Sequence, residues 1–251
     1  MDDQPQIPLT KKERREQRRQ DARGEQSSAS RRRVLKRVLL WVIVLGVLAG
    51  GAWGLYKASE RAAVPAGDGT LAVAVTDDEN IRGPVDAPVT LVEYSDLQCP
   101  ACKAFHPVLQ QLMEDSGGTV RLVYRHFPIR NIHANADLAA RAAEAAGLQG
   151  KFWEMHDRIF DEQGTWSGRS SQGARDAFLS YAQELGLDTA RLEADMDSDA
   201  VKDAVQADLD GALAAGVNAT PTFFLNGAQM TGLTSLEDFL SRVLNAAPPT
   251  P

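Results

Sequence analysis

Between Val89 and Asp115 the chain reads VTLVEYSDLQCPACKAFHPVLQQLMED. VTLVEY is mostly apolar and rich in residues that favour extended backbone, as expected of a strand buried on both faces. Leu109, Leu112 and Met113 then give one apolar helical face. A strand therefore feeds a helix almost directly, and CPAC, at 99 to 102, occupies the junction. Pro100 suits the first helical turn, where no backbone donor is required of it. A three-residue separation on a helical turn brings Cys99 and Cys102 within disulfide reach. Cys99 is expected at the exposed N-terminus of the helix, where free backbone N–H groups and the helix dipole favour a thiolate.

These are the only two cysteines in 251 residues. They are too few for a framework of bridges, and too few to enclose a structural zinc, which takes about four protein ligands. Two small core thiols are the bland alternative, but it leaves the helix start and the intervening proline unexplained. A carrier of copper(I), with His106 one turn beyond Cys102 as a third donor, is a further alternative.

TVRLVYRHF, at 119 to 127, reads as a second buried strand. A helical tract follows: LAARAAEAAG, then FWEMHDRIF with Phe152, Met155 and Ile159 on one face, then AFLSYAQELG, then Val201, Val205, Leu209 and Leu213 at four-residue steps. After Gly216, TPTFFLNGAQM gives two short strands around an Asn-Gly turn, a strong hairpin signal. SLEDFLSRVLNA closes the order with a helix packing Leu236, Phe239, Leu240 and Val243. One sheet covered by helices is the simplest α/β architecture.

Upstream, Val38 to Tyr56 is 19 residues without a charge, enough to span the roughly 30 Å hydrocarbon layer as a helix. Charged residues follow it and no clean cleavage site is visible, so an uncleaved single-pass anchor is expected. Residues 1 to 37 hold 12 Lys/Arg against 6 Asp/Glu, which places this basic tail in the cytoplasm. Residues 57 to 251 hold 15 Lys/Arg against 28 Asp/Glu, so the body is acidic and is expected on the extracytoplasmic side of the cell membrane. Residues 57 to 80 read as a linker, and 248 to 251 as a disordered tail. No nucleic-acid partner is expected, since charge blocks without apolar residues are solvated tails. No nucleotide loop or serine triad is present.

The stretches EYSDLQCPACKAFHPVL, YRHFPI and GVNATPTFFLNG together resemble the DsbA-like branch of the thioredoxin fold, over roughly residues 81 to 247 with a helical insertion at about 132 to 215. The resemblance implies an extracytoplasmic thiol-disulfide oxidoreductase that introduces disulfides into exported proteins. It makes Cys99 the nucleophile and Cys102 the resolving thiol. It also implies a cis Pro221 beside the site, with the Thr220 backbone pairing with substrate, and a buried acid, Glu93, moving protons to and from Cys102. The implied partners are reduced or unfolded exported proteins and a quinone-linked membrane protein that restores the disulfide. No cofactor and no metal ligand set is expected.

Pro100 and Ala101 lie between the cysteines. Ala101 stands where the best-known oxidases carry histidine, so Cys99 should be less acidic and its disulfide less oxidising than theirs. Threonine before the cis proline also occurs among isomerases and reductases, which keeps those directions open. Isomerases of this kind carry a dimerisation domain for which the linker leaves no room. The bland reading of Glu93 is an ion pair with an arginine such as Arg125. Phe152 and Trp153 read as helix core, and Trp166 as either a binding rim or a loop anchor. His126 and His133 are given no role.

Overall fold

The computed structural model describes residues 68 to 246. The basic tail, the anchor at 38 to 56, the start of the linker and the last residues lie outside the described residues. Among the described residues no helix is long and apolar enough to cross a membrane.

The first strand, β1, is the short Ile81–Arg82; β2 is Val89–Ser95 and β3 Val120–His126. Helix α1, Pro100–Asp115, joins β2 to β3 in a parallel crossover. Six helices follow: α2 Ala136–Gly147, α3 Phe152–Asp161, α4 Gln163–Trp166, α5 Ser171–Glu184, α6 Thr189–Met196 and α7 Asp199–Ala214. The hairpin β4, Thr222–Leu225, and β5, Ala228–Gln229, then precedes α8, Leu236–Leu244. The five strands lie in the order β1-β3-β2-β4-β5, with only the β2–β3 pair parallel.

Alternation along β2 and β3 builds two cores. Val89, Leu91, Val120 and Leu122 pack with Leu109 and Leu112 of α1 and Phe239 and Val243 of α8. Val92, Tyr94 and Val123 face the opposite side with Ala212 of α7 and Phe224. Both faces are covered, which is why the strands read as continuous apolar runs. The helical insertion packs alanines of α2 with Phe152, Met155, Ile159, Trp166 and Phe178 in a core that also takes in Tyr124 of β3 and both cysteines. Alanine there lets helix backbones approach closely and places little side-chain volume between them.

Two side-chain expectations change. In α7, Val201 and Val205 are buried but Leu213 is 38% exposed. Four-residue steps overshoot a helical turn by about 40° each, so the row rotates off the buried face. In α8, Leu236 is 46% exposed; it sits in the first turn after its cap Ser235, beyond the stripe that Phe239 and Val243 present to the sheet.

Residues 68 to 80, the described part of the expected linker, are tied to the sheet. Thr70 bridges Ala228, and the Leu71 N–H donates to the Gly227 carbonyl at 2.8 Å. Arg125 donates to the carbonyls of Val73 and Ala74 at 3.0 and 3.2 Å and to both Glu79 oxygens at 2.7 and 3.0 Å.

Candidate active site

The β2–α1 junction is held from several sides. Asp96 is buried at its centre. One carboxylate oxygen accepts from the Gln98 N–H at 2.7 Å; the other accepts from the Ile129 N–H at 2.8 Å and from His133 Nδ1 at 2.7 Å. The Asp96 carbonyl accepts from the Cys99 N–H at 2.9 Å. From the insertion, Gln163 Nε2 donates to the carbonyls of Leu97 and Cys99 at 2.9 and 3.1 Å. These bonds occupy buried carbonyls that water cannot reach, and they fix the direction in which Cys99 enters the helix.

Cys99 is the N-cap of α1, with extended backbone (φ −71°, ψ 125°) and Pro100 just after it. It is 8% exposed and Cys102 is 1% exposed, so Cys99 is more covered than the sequence suggests. The cover comes from the Thr220–Pro221 loop: that peptide is cis, and the Thr220 carbonyl lies 3.7 Å from Cys99 Sγ. The structure thus brings Cys99, Cys102, Thr220 and Pro221 together, with Pro100 and Ala101 forming the turn between the thiols.

The two thiols differ sharply in acidity. The Cys102 thiol, placed to hydrogen-bond to Cys99, brings the Cys99 pKa down to about 5 against the cost of burial. Thr220 and the backbone N–H groups of Cys102 and Ala101 lower it further. Burial pushes Cys102 far up, and the hydrogen bond to Cys99 and the charge of Glu93 add to that. Ala101 thus contributes through its backbone what its side chain cannot.

Glu93 is 2% exposed, on the α1 face of the sheet with Val89 and Leu91. Burial raises its pKa to about 7, partly offset by the Ser95 hydroxyl and reinforced by the charge of Cys99. The ion pair with Arg125 is not formed. Glu93 is level with Tyr124 in the β2–β3 register, so Arg125, one residue on, points to the opposite face. There it meets Glu79 and the Tyr94 hydroxyl, at 2.7 and 2.9 Å. Tyr124 lies beside Glu93 instead, buried and without a hydrogen-bond partner among the described residues.

Trp166 is fully buried and its Nε1 donates to the Ile159 carbonyl at 2.8 Å, so it anchors the loop and forms no rim. Trp153 lies beneath Arg82, 4.2 Å from its ring centre, and donates to the Ile81 carbonyl. His126 pairs with Glu144 at 3.1 Å. His106 lies with His156 and Asp157, not with the thiols. Asp96 and Gln163 were missed in the sequence. An aspartate three residues before a helix cap carries a weak local signal; Gln163, 64 residues from Cys99, carries none.

Comparison with known proteins agrees with this geometry. A thioredoxin-like oxidoreductase from Silicibacter pomeroyi is 32% identical, covering 68% of this chain and 93% of its own, with a TM-score of 0.57. DsbA2 from Pseudomonas aeruginosa is 29% identical over 67% of this chain and 94% of its own, with a TM-score of 0.54. A curated relative, the Na(+)/H(+) antiporter NhaA 1 of Salinispora arenicola, is 39% identical over 170 residues, 68% of this chain but 25% of its own length. The chain spans about a quarter of that relative. The family model described as thioredoxin matches residues 76 to 245, and with the strand-to-helix CPAC junction and the facing cis proline in place, the chain belongs to the thioredoxin family.

Proposed function

We propose that the protein is a thiol-disulfide oxidoreductase that donates the Cys99–Cys102 disulfide to exported proteins. The observation that carries this reading is the asymmetry of the pair. Cys99, with a pKa near 5, is a stable thiolate and a good leaving group, whereas Cys102 stays protonated at neutral pH. Stabilising the reduced thiolate makes the disulfide a stronger oxidant. A value of about 5 falls between about 7 for thioredoxin and about 3.5 for DsbA, in keeping with the absence of a histidine at Ala101.

In the forward reaction a substrate thiolate attacks Cys99 Sγ, the Cys99–Cys102 bond breaks and the Cys102 sulfur takes up a proton. Glu93, with a pKa of about 7 beneath Cys102, is suited to deliver it. A second substrate thiolate then attacks the substrate sulfur of the mixed disulfide and expels the Cys99 thiolate. The substrate is oxidised by two electrons and the pair reduced by two. The Thr220 backbone beside Cys99 Sγ is positioned to align the substrate strand, with Pro221 shaping that edge. Reoxidation falls to a quinone-linked membrane partner, and the 38 to 56 segment keeps the domain near it on the extracytoplasmic face. Ion transport, named for the antiporter relative, is not carried over.

The reduction potential of the pair, equilibrated against glutathione, tests the direction. A value toward about −120 mV supports disulfide donation; one toward about −270 mV makes the protein a reductase. The isomerase or reductase reading uses the same sulfurs. The copper-delivery reading loses its third donor, because His106 is gathered elsewhere.

A further inference from the structure

Beneath the first turn of α1 the sheet carries a row of polar side chains on one face. Glu93 and Ser95 are alternate residues of β2, so they point the same way. In the parallel register they lie level with Tyr124 and His126 of β3. Glu93, Ser95, Tyr124 and Cys102 are all buried. The Ser95 carbonyl accepts from the Phe127 N–H at 2.7 Å, so its backbone is fixed and only the hydroxyl is free to turn.

Ser95 Oγ makes no hydrogen bond of ordinary geometry among the described residues. A buried hydroxyl left this way costs stability and returns none to the fold. Ser95 nevertheless lies close enough to Glu93, Cys102 and Tyr124 to favour the ionised form of each. Glu93 acts on Cys102 through its charge, so Ser95 is the side chain that acid and thiol have in common. The other groups around it are engaged. His126 pairs with Glu144 at 3.1 Å, and Asp96 accepts from Gln98, Ile129 and His133. Burial holds the Tyr124 hydroxyl neutral, with the His156 ring of α3 centred 4.5 Å from its own. Glu93 and Cys102 are therefore the two groups beside Ser95 that exchange protons.

Resting on the oxidoreductase reading, we propose that the Ser95 hydroxyl carries the proton between Glu93 and Cys102. When the Cys99–Cys102 bond breaks, the Ser95 O–H donates its proton to the departing Cys102 sulfur while Oγ takes up the proton of the Glu93 carboxyl. Glu93 ends as a carboxylate, Cys102 as a thiol and the serine as it began. A hydroxyl suits this place because it donates and accepts at once and turns about one bond. The same transfers run backwards when the pair is oxidised, so the relay serves disulfide donation and reduction alike.

The test follows the oxidised full-length protein reacting with dithiothreitol, acid-quenched at intervals between about pH 5 and 9, with rates expressed per thiolate. Below about pH 7, where Glu93 still holds its proton, Ser95→Ala should slow the reaction at least about tenfold, and the two proteins should converge above about pH 8. In a Glu93→Gln background Ser95→Ala should slow nothing further, because the relay then has no proton to carry. The urea midpoint of Ser95→Ala should stay level or rise, since Oγ has no ordinary hydrogen bond to lose. An unchanged pH profile in Ser95→Ala, or an equal slowing in the Glu93→Gln background, overturns the relay. A Ser95→Ala protein that fails to fold, or that loses midpoint and rate together at every pH, marks a structural serine and overturns it as well. A parent disulfide that does not react with dithiothreitol overturns the oxidoreductase reading itself, and the relay with it.

Discussion

Cys99 owes its acidity chiefly to the neighbouring thiol, so removing that donor should return much of the proton affinity. In the reduced protein, the rate of Cys99 alkylation by iodoacetamide is expected to reach half its plateau near pH 5, and Cys102→Ala should move that midpoint up by about a unit or more. An unmoved midpoint would mean that the backbone amides and Thr220 suffice. Glu93 gives a second titration with the opposite sign. Its pKa is about 7 in the fold against an ordinary value of 4.5. Between those values the folded protein holds a proton that the unfolded chain has lost, so stability falls as pH rises through the window. At about 1.4 kcal/mol per unit the cost is on the order of 3 kcal/mol above pH 7. Glu93→Gln, which keeps the shape without the charge, should flatten stability between pH 4.5 and 7 in urea titrations and leave the variant more stable than the parent at pH 8. Equal pH dependence in the two proteins would place the buried charge elsewhere. The acid itself was legible as a carboxylate in an apolar strand. Its freedom from Arg125 was not, because facing depends on parity within a register that only the paired strands define.

At the level of elements, legibility followed the strength of local chemistry. The β-branched runs marked β2 and β3, and Asn226-Gly227 marked the hairpin, where both residues have positive φ (49° and 86°). Two-residue β1 left no trace, since it pairs through backbone with Leu122 and Val123 and needs no pattern of its own. Gly83, just after it, has φ 99°, and an added Cβ would lie 2.6 Å from the Val120 carbonyl oxygen and 2.8 Å from the Met113 methyl. Gly227 also has positive φ but has nothing within 4 Å of that position. The two glycines therefore separate conformational strain from collision. Gly227→Ala should cost about 1–2 kcal/mol from backbone conformation alone. Gly83→Ala should cost at least about 3 kcal/mol, because the sheet edge must also shift away from α1. Comparable losses in chemical denaturation would show that the β1–α1 edge yields freely.

Across the whole described domain, the stretch from 68 to 80 does the work of a strap and Arg125 is its buckle. The guanidinium is 3% exposed, and every acceptor around it apart from the Tyr94 hydroxyl comes from this stretch: two backbone carbonyls and the Glu79 carboxylate. A buried cation that loses its anion keeps its desolvation cost and forfeits the attraction, a loss of roughly 3–5 kcal/mol. No local pattern announces this, because Val73, Ala74 and Glu79 sit in a segment whose glycine, proline and acidic composition reads as a spacer. Glu79→Gln in the full protein should lower stability by about 3 kcal/mol. Pairing it with Arg125→Met, which removes the cation and keeps its bulk, should recover part of that loss, because no charge is then left unpaired. A double variant as unstable as the sum of the two single changes would mean that the strap is held by the Thr70 and Leu71 contacts to the hairpin and that Arg125 serves only Tyr94.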